Sequence, residues 1–292
     1  MPNLHVVTDS FAHFPSLQVS NRPGITIVPN RIGIAGKMYR EGVDLEAEEA
    51  LKLLAAKPEA PTLAVPAVTD YAAVYEQLAQ DHDGIISLHA SRAMFASWHH
   101  AQRAAQYPLG GCKVIVLDTQ TFSAGQALLV RMAANVVEQG ETLDDIVRIL
   151  RGAVARVYSI YYTETLDFLH HNHIMTPSHA LLGAMIGIKP VLSIEDGQLI
   201  TIEKVRTRLQ ATERLVEFAA EFTDVEDAII LQHKTYLTEQ GRMLQDRLAV
   251  EFPDLHFPHA LYGPSLAALI GPEATGLVVL ERETDKEDDD FE

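Results

Sequence analysis

The sequence predicts an α/β protein made of two abutting α/β units, the first around a mostly parallel sheet and the second around a mixed sheet. Three observations lead there. Short apolar runs of strand length at residues 4–8, 84–88 and 114–117 each end in a polar loop and are separated by helical patterns, which is how a buried parallel sheet covered on both faces reads. The pattern restarts near Val157 with no flexible linker. Beyond it, Asp196-Gly197 sits between two apolar runs, a hairpin signal that brings antiparallel pairing into the second unit. The expected division is residues 1–156, residues 157–281 and an acidic, disordered tail at 282–292.

Taken in order, residues 4–8 form the first strand, and residues 25–31 and 31–35 read as more β, broken by Gly33 and Gly36. Asp44 starts a helix with Glu46, Glu48 and Glu49 in its first turns, where the helix dipole favours acids. Residues 57–66 hold three prolines and read as a loop. Thr69 or Asp70 caps a helix that carries Tyr71, Val74, Tyr75 and Leu78 on one face. The loop 89–95 leads into a helix through Trp98, Ala101 and Ala105. Residues 124–137 are an apolar helix, and Thr142 through Asp145 has capping-box spacing ahead of a helix over 145–157.

In the second unit a strand over 158–162 precedes a short helix at 165–169. Thr176-Pro177 starts the helix 179–186, because proline is tolerated at a first helical position. Lys189-Pro190 stops it. The hairpin 191–194 and 199–205 follows, then a helix over 209–222, a strand at 227–232, a helix at 239–251 and a strand at 255–260. Residues 267–270 fit a helix or a strand end, and 276–280 is the last strand.

Composition narrows the function. The chain has 292 residues and a formal charge of −17, of which the last twelve residues contribute a net −6 through eight acids and two bases. That balance argues against nucleic acid, whose phosphates need clustered Lys and Arg. The single cysteine, Cys112, excludes an internal disulfide and fits a reducing cytoplasm. No apolar run approaches the ~18 residues of a membrane span, and the first ten residues lack a signal-peptide pattern, so a soluble cytoplasmic protein is expected.

The candidate chemistry is sparse. His170, His171, His173 and His179 cluster, but no acid or cysteine stands at a ligand spacing and no HExxH occurs, so no metal is expected. His99-His100 read as a partly exposed helix face. Asp9-Ser10 and Asp118-Thr119 end strands, where short polar side chains cap turns or meet ligands. GxSxG, GxGxxG and GxxxxGK[ST] are absent. Lys204, Arg206 and Arg208 alternate along a strand end. On one strand face they would steer a carboxylate or phosphate, or simply be solvated.

Several segments together carry a resemblance. They are VVTDS (6–10), ITIVPNRIGIAGKMYREGVDL (25–45), VIVLDTQTFSAGQALLV (114–130), YYTETLDFL (161–169), IGIKPVLSIEDGQL (186–199), KVRTR (204–208) and GPEATGL (271–277). In order and spacing the chain resembles the DegV family of bacterial fatty-acid-binding proteins over roughly residues 4–280. The resemblance implies a DegV-like fold of two α/β domains enclosing one long-chain fatty acid, its tail in an apolar tunnel and its carboxylate at a small polar cluster. It implies a carrier, not an enzyme, with the fatty acid as ligand and no other cofactor. Some members present the acyl chain to a separate fatty-acid kinase.

Carried over residue by residue, the resemblance has departures. The family's Thr-Ser loop falls on Leu63-Ala64, with Thr62 one step away. Its Ser-Gly-Thr turn falls on Phe95-Ala96-Ser97, its Gly-Gly-Arg turn on His171-Asn172-His173, and its late histidine on Leu269. The implied pocket is lined by Leu63, Ala64, Phe95, Ile188 and Leu269, helped by Leu181 and Met185. Ser97, His173, Arg206 and the backbone N–H groups near Ala96 are its polar contacts. The alternative is a diverged regulatory or interaction protein with an altered or vestigial lipid pocket, favoured if Phe95 and Leu269 fill the cavity. A hydrolase using Ser91 or Ser97 would need a serine–histidine contact within ~2.6–3.2 Å.

Overall fold

The computed structural model describes residues 3–14, 22–56 and 60–283. The side chains of residues 181 and 182, and residues 284–292 of the expected tail, lie outside the described residues. The first half builds a four-stranded parallel sheet in the order β2-β1-β6-β7 from β1 (Leu4–Asp9), β2 (Ile25–Val28), β6 (Gly84–His89) and β7 (Lys113–Asp118). Beside it lies a small antiparallel sheet of β3 (Arg31–Ile34), β4 (Lys37–Arg40) and β5 (Thr62–Ala64), ordered β4-β3-β5, with helix α1 (Ala47–Ala56) between β4 and β5.

Alternation along the buried strands explains the layers. Val7, Ile85 and Val116 face α2 (Val68–Leu78) and α3 (Ser97–Ala104), where Tyr71, Tyr75 and Ala101 meet them. Val6, Ile86 and Leu117 face the other way, onto α4 (Ala124–Glu138) and α5 (Leu143–Val154). Thr142 caps α5, its hydroxyl accepting from the Asp145 N–H, so that helix begins at Leu143 and ahead of the expected start.

The second half forms a six-stranded mixed sheet, β10-β9-β8-β13-β11-β12, from β8 (Val157–Thr163), β9 (Lys189–Glu195), β10 (Gln198–Val205), β11 (Val225–Gln232), β12 (His259–Leu261) and β13 (Ala274–Glu281). Only β11 and β12 pair in parallel. Its outer face carries α8 (Arg208–Ala220) and α9 (Glu239–Glu251) on Ile160, Ile230, Leu277 and Val279. Its inner face, with Tyr161, Leu192, Ile229 and Val278, turns toward the first half and meets α6 (Asp167–His171) and α10 (Pro264–Ile270) in one apolar cluster. Helix α7 (Pro177–Met185) leads into β9.

Four expectations are corrected. Residues 62–64 form β5 where the prolines suggested a loop. Asp44 does not begin α1. Its carboxylate instead accepts from the Arg40 N–H and guanidinium, closing the turn after β4. The N-cap of α2 is Ala67, and Asp70 serves from inside the helix by accepting the Ala67 N–H at 2.9 Å. The strand placed at 255–260 is only His259–Leu261, because Phe252 and Leu255 pack on the outer face from a turn.

Candidate functional site

The inner apolar cluster joins side chains from both sheets. Phe11, Leu45, Phe122 and Leu128 come from the first half, and Tyr161, Leu192, Leu269 and Val278 from the second. Three expected pocket residues meet here: Leu269 is buried within it, and Leu63 and Phe95 are half-buried against it. Phe95 packs on Phe11 at 4.1 Å between ring centroids and meets Phe122 edge-on at 5.6 Å. The preceding Met94 places its sulfur 3.2 Å from the Leu199 N–H, tying this loop to β10.

The other expected residues are distributed around the cluster. Thr62 and Ala64 are exposed, on the strand face opposite Leu63, and the Thr62 hydroxyl lies where a side chain at Gly33 would stand. Ala96 is exposed. Ser97 is fully buried beside Tyr71, on the α2–α3 side of the first sheet, and neither hydroxyl completes a hydrogen bond among the described residues. Burial and then the Asp9 carboxylate hold the Tyr71 phenol well above its usual pKa. Ile188 is half-buried after α7, its N–H bonded to the Gly183 carbonyl. Met185 is 76% exposed and points away from the cluster, and the Leu181 side chain lies outside the described residues.

His173 is exposed, with φ +58°, directly after α6. Its neighbour Asn172 ties the two helices together: Nδ2 donates to the Phe168 carbonyl at 2.9 Å and the Ala268 carbonyl at 2.8 Å. The basic trio does not share a strand face. β10 ends at Val205, Thr207 caps α8, and Arg208 is the first residue of that helix. Arg208 and Lys189 both pair with the half-buried Glu164. Arg206 is exposed and has no ion pair among the described residues.

Two buried polar networks were not legible as such. In the first, His89 Nδ1 lies 2.9 Å from Asp9 Oδ2, His89 Nε2 lies 2.7 Å from Ser87 Oγ, and Ser87 Oγ lies 2.7 Å from the Tyr75 hydroxyl. All three of Asp9, His89 and Ser87 are fully buried. This serine–histidine pair sits side by side on β6 without access to solvent, while Ser91 Oγ accepts only from the Ala93 N–H, so no nucleophile at 91 or 97 has a histidine within reach among the described residues. Period-two reading of GIISLH would have put Ser87 and His89 on one face. The second network joins Ser10, Asn30, Glu41 and Ser265, and its members are up to 255 positions apart, so no local pattern reveals it.

Three pockets of about 390, 260 and 380 Å³ share Glu273, just past α10. They are lined in part by Tyr162 and His233, by Phe168 and His171, and by Leu51 and Lys52. None takes in Leu63, Phe95 or Leu269. Among the described residues no three His, Cys, Asp or Glu side chains gather as metal ligands.

The full length of the chain has counterparts. A family model described as "Uncharacterised protein, DegV family" matches residues 3–282. A DegV domain-containing protein of Streptomyces coelicolor is 30% identical over 281 residues, covering 95% of this chain and 98% of the relative. Another, of Listeria innocua, is 28% identical over 276 residues, covering 93% and 96%. Among solved structures, a fatty acid binding DegV family protein of Streptococcus agalactiae has a TM-score of 0.86 at 24% identity, covering 97% of this chain and all of that one. A DegV family protein of Thermus thermophilus, described by its fatty acid binding, has a TM-score of 0.82 at 25% identity over 96% and 100%. Matched by the family model from residue 3 to residue 282, and 30% identical to a relative across 95% of its length, the chain belongs to the DegV family.

Proposed function

We propose that the chain binds one long-chain fatty acid between two α/β domains, residues 1–156 and 157–281, and acts as a cytoplasmic carrier with no catalytic role of its own. The observation that carries this reading is the single apolar cluster shared by the two halves, with Leu63 and Phe95 only half-buried at its edge. Structural relatives described as fatty-acid-binding support it. The physical driving force is burial of methylenes, about 0.8 kcal/mol each, enough to retain a long acyl chain without a covalent bond. In this reading Arg206, exposed and unpaired among the described residues, is the cation that meets the carboxylate. The carrier presents its lipid to a separate fatty-acid kinase.

One observation favours a second reading, a regulatory or interaction protein with a vestigial pocket. Phe95 is already wedged between Phe11 and Phe122, and Leu269 is buried where the family resemblance implies a histidine. Mass spectrometry of the denatured, purified protein separates the two. The carrier reading expects stoichiometric fatty acid, or uptake of added hexadecanoic acid. Neither bound lipid nor uptake leaves the vestigial reading standing.

A further inference from the structure

Glu41 follows β4 in the first half, yet its carboxylate is buried against the start of α10 in the second. Oε1 accepts the Ser265 N–H at 2.9 Å, one of the amide donors a helix start leaves without a backbone partner. Oε2 accepts the Ser10 hydroxyl at 2.6 Å and the Ser265 hydroxyl at 2.5 Å, with Asn30 Nδ2 at 3.4 Å. No Lys, Arg or His forms an ion pair with it among the described residues. Burial, the largest influence, holds its pKa above the usual carboxylate value, and the hydrogen bonds from Ser10, Ser265 and Asn30 offset this only in part, so its charge rests on where the protons go.

The protons decide its charge. Ser10 Oγ already accepts the Asn30 N–H at 2.8 Å, and Ser265 Oγ accepts Asn30 Nδ2 at 3.0 Å. Each hydroxyl has one proton, and each spends it on Glu41. A protonated Glu41 would have to donate to one of these serines, whose own proton would then lose its acceptor. Asn30 Oδ1 is buried without a partner, so the amide is turned with its donors toward the acid.

We infer that Glu41 is an ionised latch, held by hydrogen bonds alone, that docks α10 of the second half onto the first half and thereby fixes the cluster wall at Leu269. The opposite end of α10 is held within the second half, where Thr163 donates to the Ile270 carbonyl at 2.6 Å and Tyr262 to the Gly271 carbonyl at 3.0 Å. Of the hydrogen bonds at the two ends of α10, those at the Glu41 end are therefore the ones that reach the first half, where they add to the helix's apolar packing on α1 and β3. This geometry stands apart from ligand identity; only its effect on lipid exchange rests on the function proposed above.

The test is hydrogen exchange on the full-length protein. Glu41→Gln keeps the shape and the Ser265 N–H acceptor but sets an NH₂ against two hydroxyl donors. Exchange at residues 266–270 should rise about 10- to 100-fold, as loss of charged hydrogen bonds predicts, with far less change at residues 129–134 of α4. Ser265→Ala, a milder variant, should move the same amides in the same direction if Glu41→Gln does not fold. Glu41→Ala should regain protection in added acetate or propionate and not in acetamide. Unchanged exchange at 266–270 in both the Gln and the Ser265 variants would overturn the latch, and rescue by acetamide equal to that by acetate would overturn its charge. If hexadecanoic acid binds, its release should quicken in Glu41→Gln; if it does not bind at all, the lipid reading fails and the exchange result still decides the latch.

Discussion

The rings of Phe95 and Phe11 lie 4.1 Å apart, inclined by 37°, in a close aromatic contact. Phe122 closes the group from the side. The family resemblance implies the serine of a Ser-Gly-Thr turn at Phe95, and in the carrier reading proposed above the ring fills a head-group position.

The first prediction follows from that filling. Phe95→Ser should cost about 2 kcal/mol, below the 3–5 kcal/mol of a fully buried Phe truncation because the ring is only half-buried. It should also raise the amount of fatty acid retained per protein. Urea unfolding and lipid extraction measure the two effects. Lost stability with no gain in retained lipid would separate the aromatic group from any lipid path.

The second concerns the buried Asp9–His89 pair. A carboxylate at Asp9 only accepts, so the proton it binds is that on His89 Nδ1; with one ring proton, Nε2 accepts from Ser87, which in turn accepts from Tyr75. Asp9 Oδ1 is also held by the Phe11 N–H and by Gln126. In Asp9→Asn the amide NH₂ faces His89, the chain of donors reverses, and the Tyr75 proton loses its acceptor. The expected loss is about 2–3 kcal/mol in urea unfolding. Imidazole nitrogen NMR should report the proton moving from Nδ1 to Nε2; an unmoved tautomer would refute the relay.

Much of the fold was legible because buried strands and amphipathic helices obey simple periods. The first parallel sheet follows from apolar runs ending at Asp9, His89 and Asp118, and α9 runs from Glu239 to Glu251 as its pattern predicts. β4 and β5 were hidden because they are mostly exposed and mixed in polarity, so neither shows an apolar face. KVRTR leaves the strand alternation at its end: Thr207 with Gln210 forms a capping box, which makes Arg208 a helix residue. At the candidate site, Leu63, Phe95 and Leu269 belong to one apolar cluster, because each is an apolar side chain on a face turned inward. Ser97 turned toward Tyr71 because the first turn of α3 faces the parallel sheet. Glu41 and Ser265 carried no signal, since the bond between them depends on how the two halves pack.

The third prediction is a pH dependence. Desolvation lowers His13 to about 4, and it lowers His5 to about 4 with help from His82, whose ring lies 4.7 Å away. Both would titrate near 6.5 in the unfolded chain. Below that value the unfolded chain takes up protons that the folded protein refuses until about pH 4, so stability falls as pH drops through this window and is fully present above it. Urea midpoints across the window should show the slope, and His13→Asn should flatten it. The His13 ring lies against Gly263, where an added Cβ would be 2.8 Å from Nδ1. Gly263→Ala should therefore destabilise at every pH, because the His13 ring must move to admit the methyl group.

The last prediction separates two neighbouring arginines. Arg208 pairs with Glu164 at 2.8 Å, where Lys189 binds the same carboxylate. The Arg208 side chain is largely exposed, so Arg208→Ala should cost only about 0.5–1 kcal/mol. It should leave fatty-acid affinity unchanged, because its charge is already spent. Arg206 gives only its backbone N–H to the fold, bonded to Gln210 Oε1 at 3.0 Å. Arg206→Ala should stay within about 0.5 kcal/mol of the parent in stability. If its guanidinium meets the carboxylate, fatty-acid affinity should fall about tenfold or more, in line with the loss of a charged hydrogen bond. A fatty alcohol of equal chain length, which carries no charge, should bind parent and Arg206→Ala alike. Equal loss for the acid and the alcohol would assign Arg206 to the shape of the pocket and not to its charge.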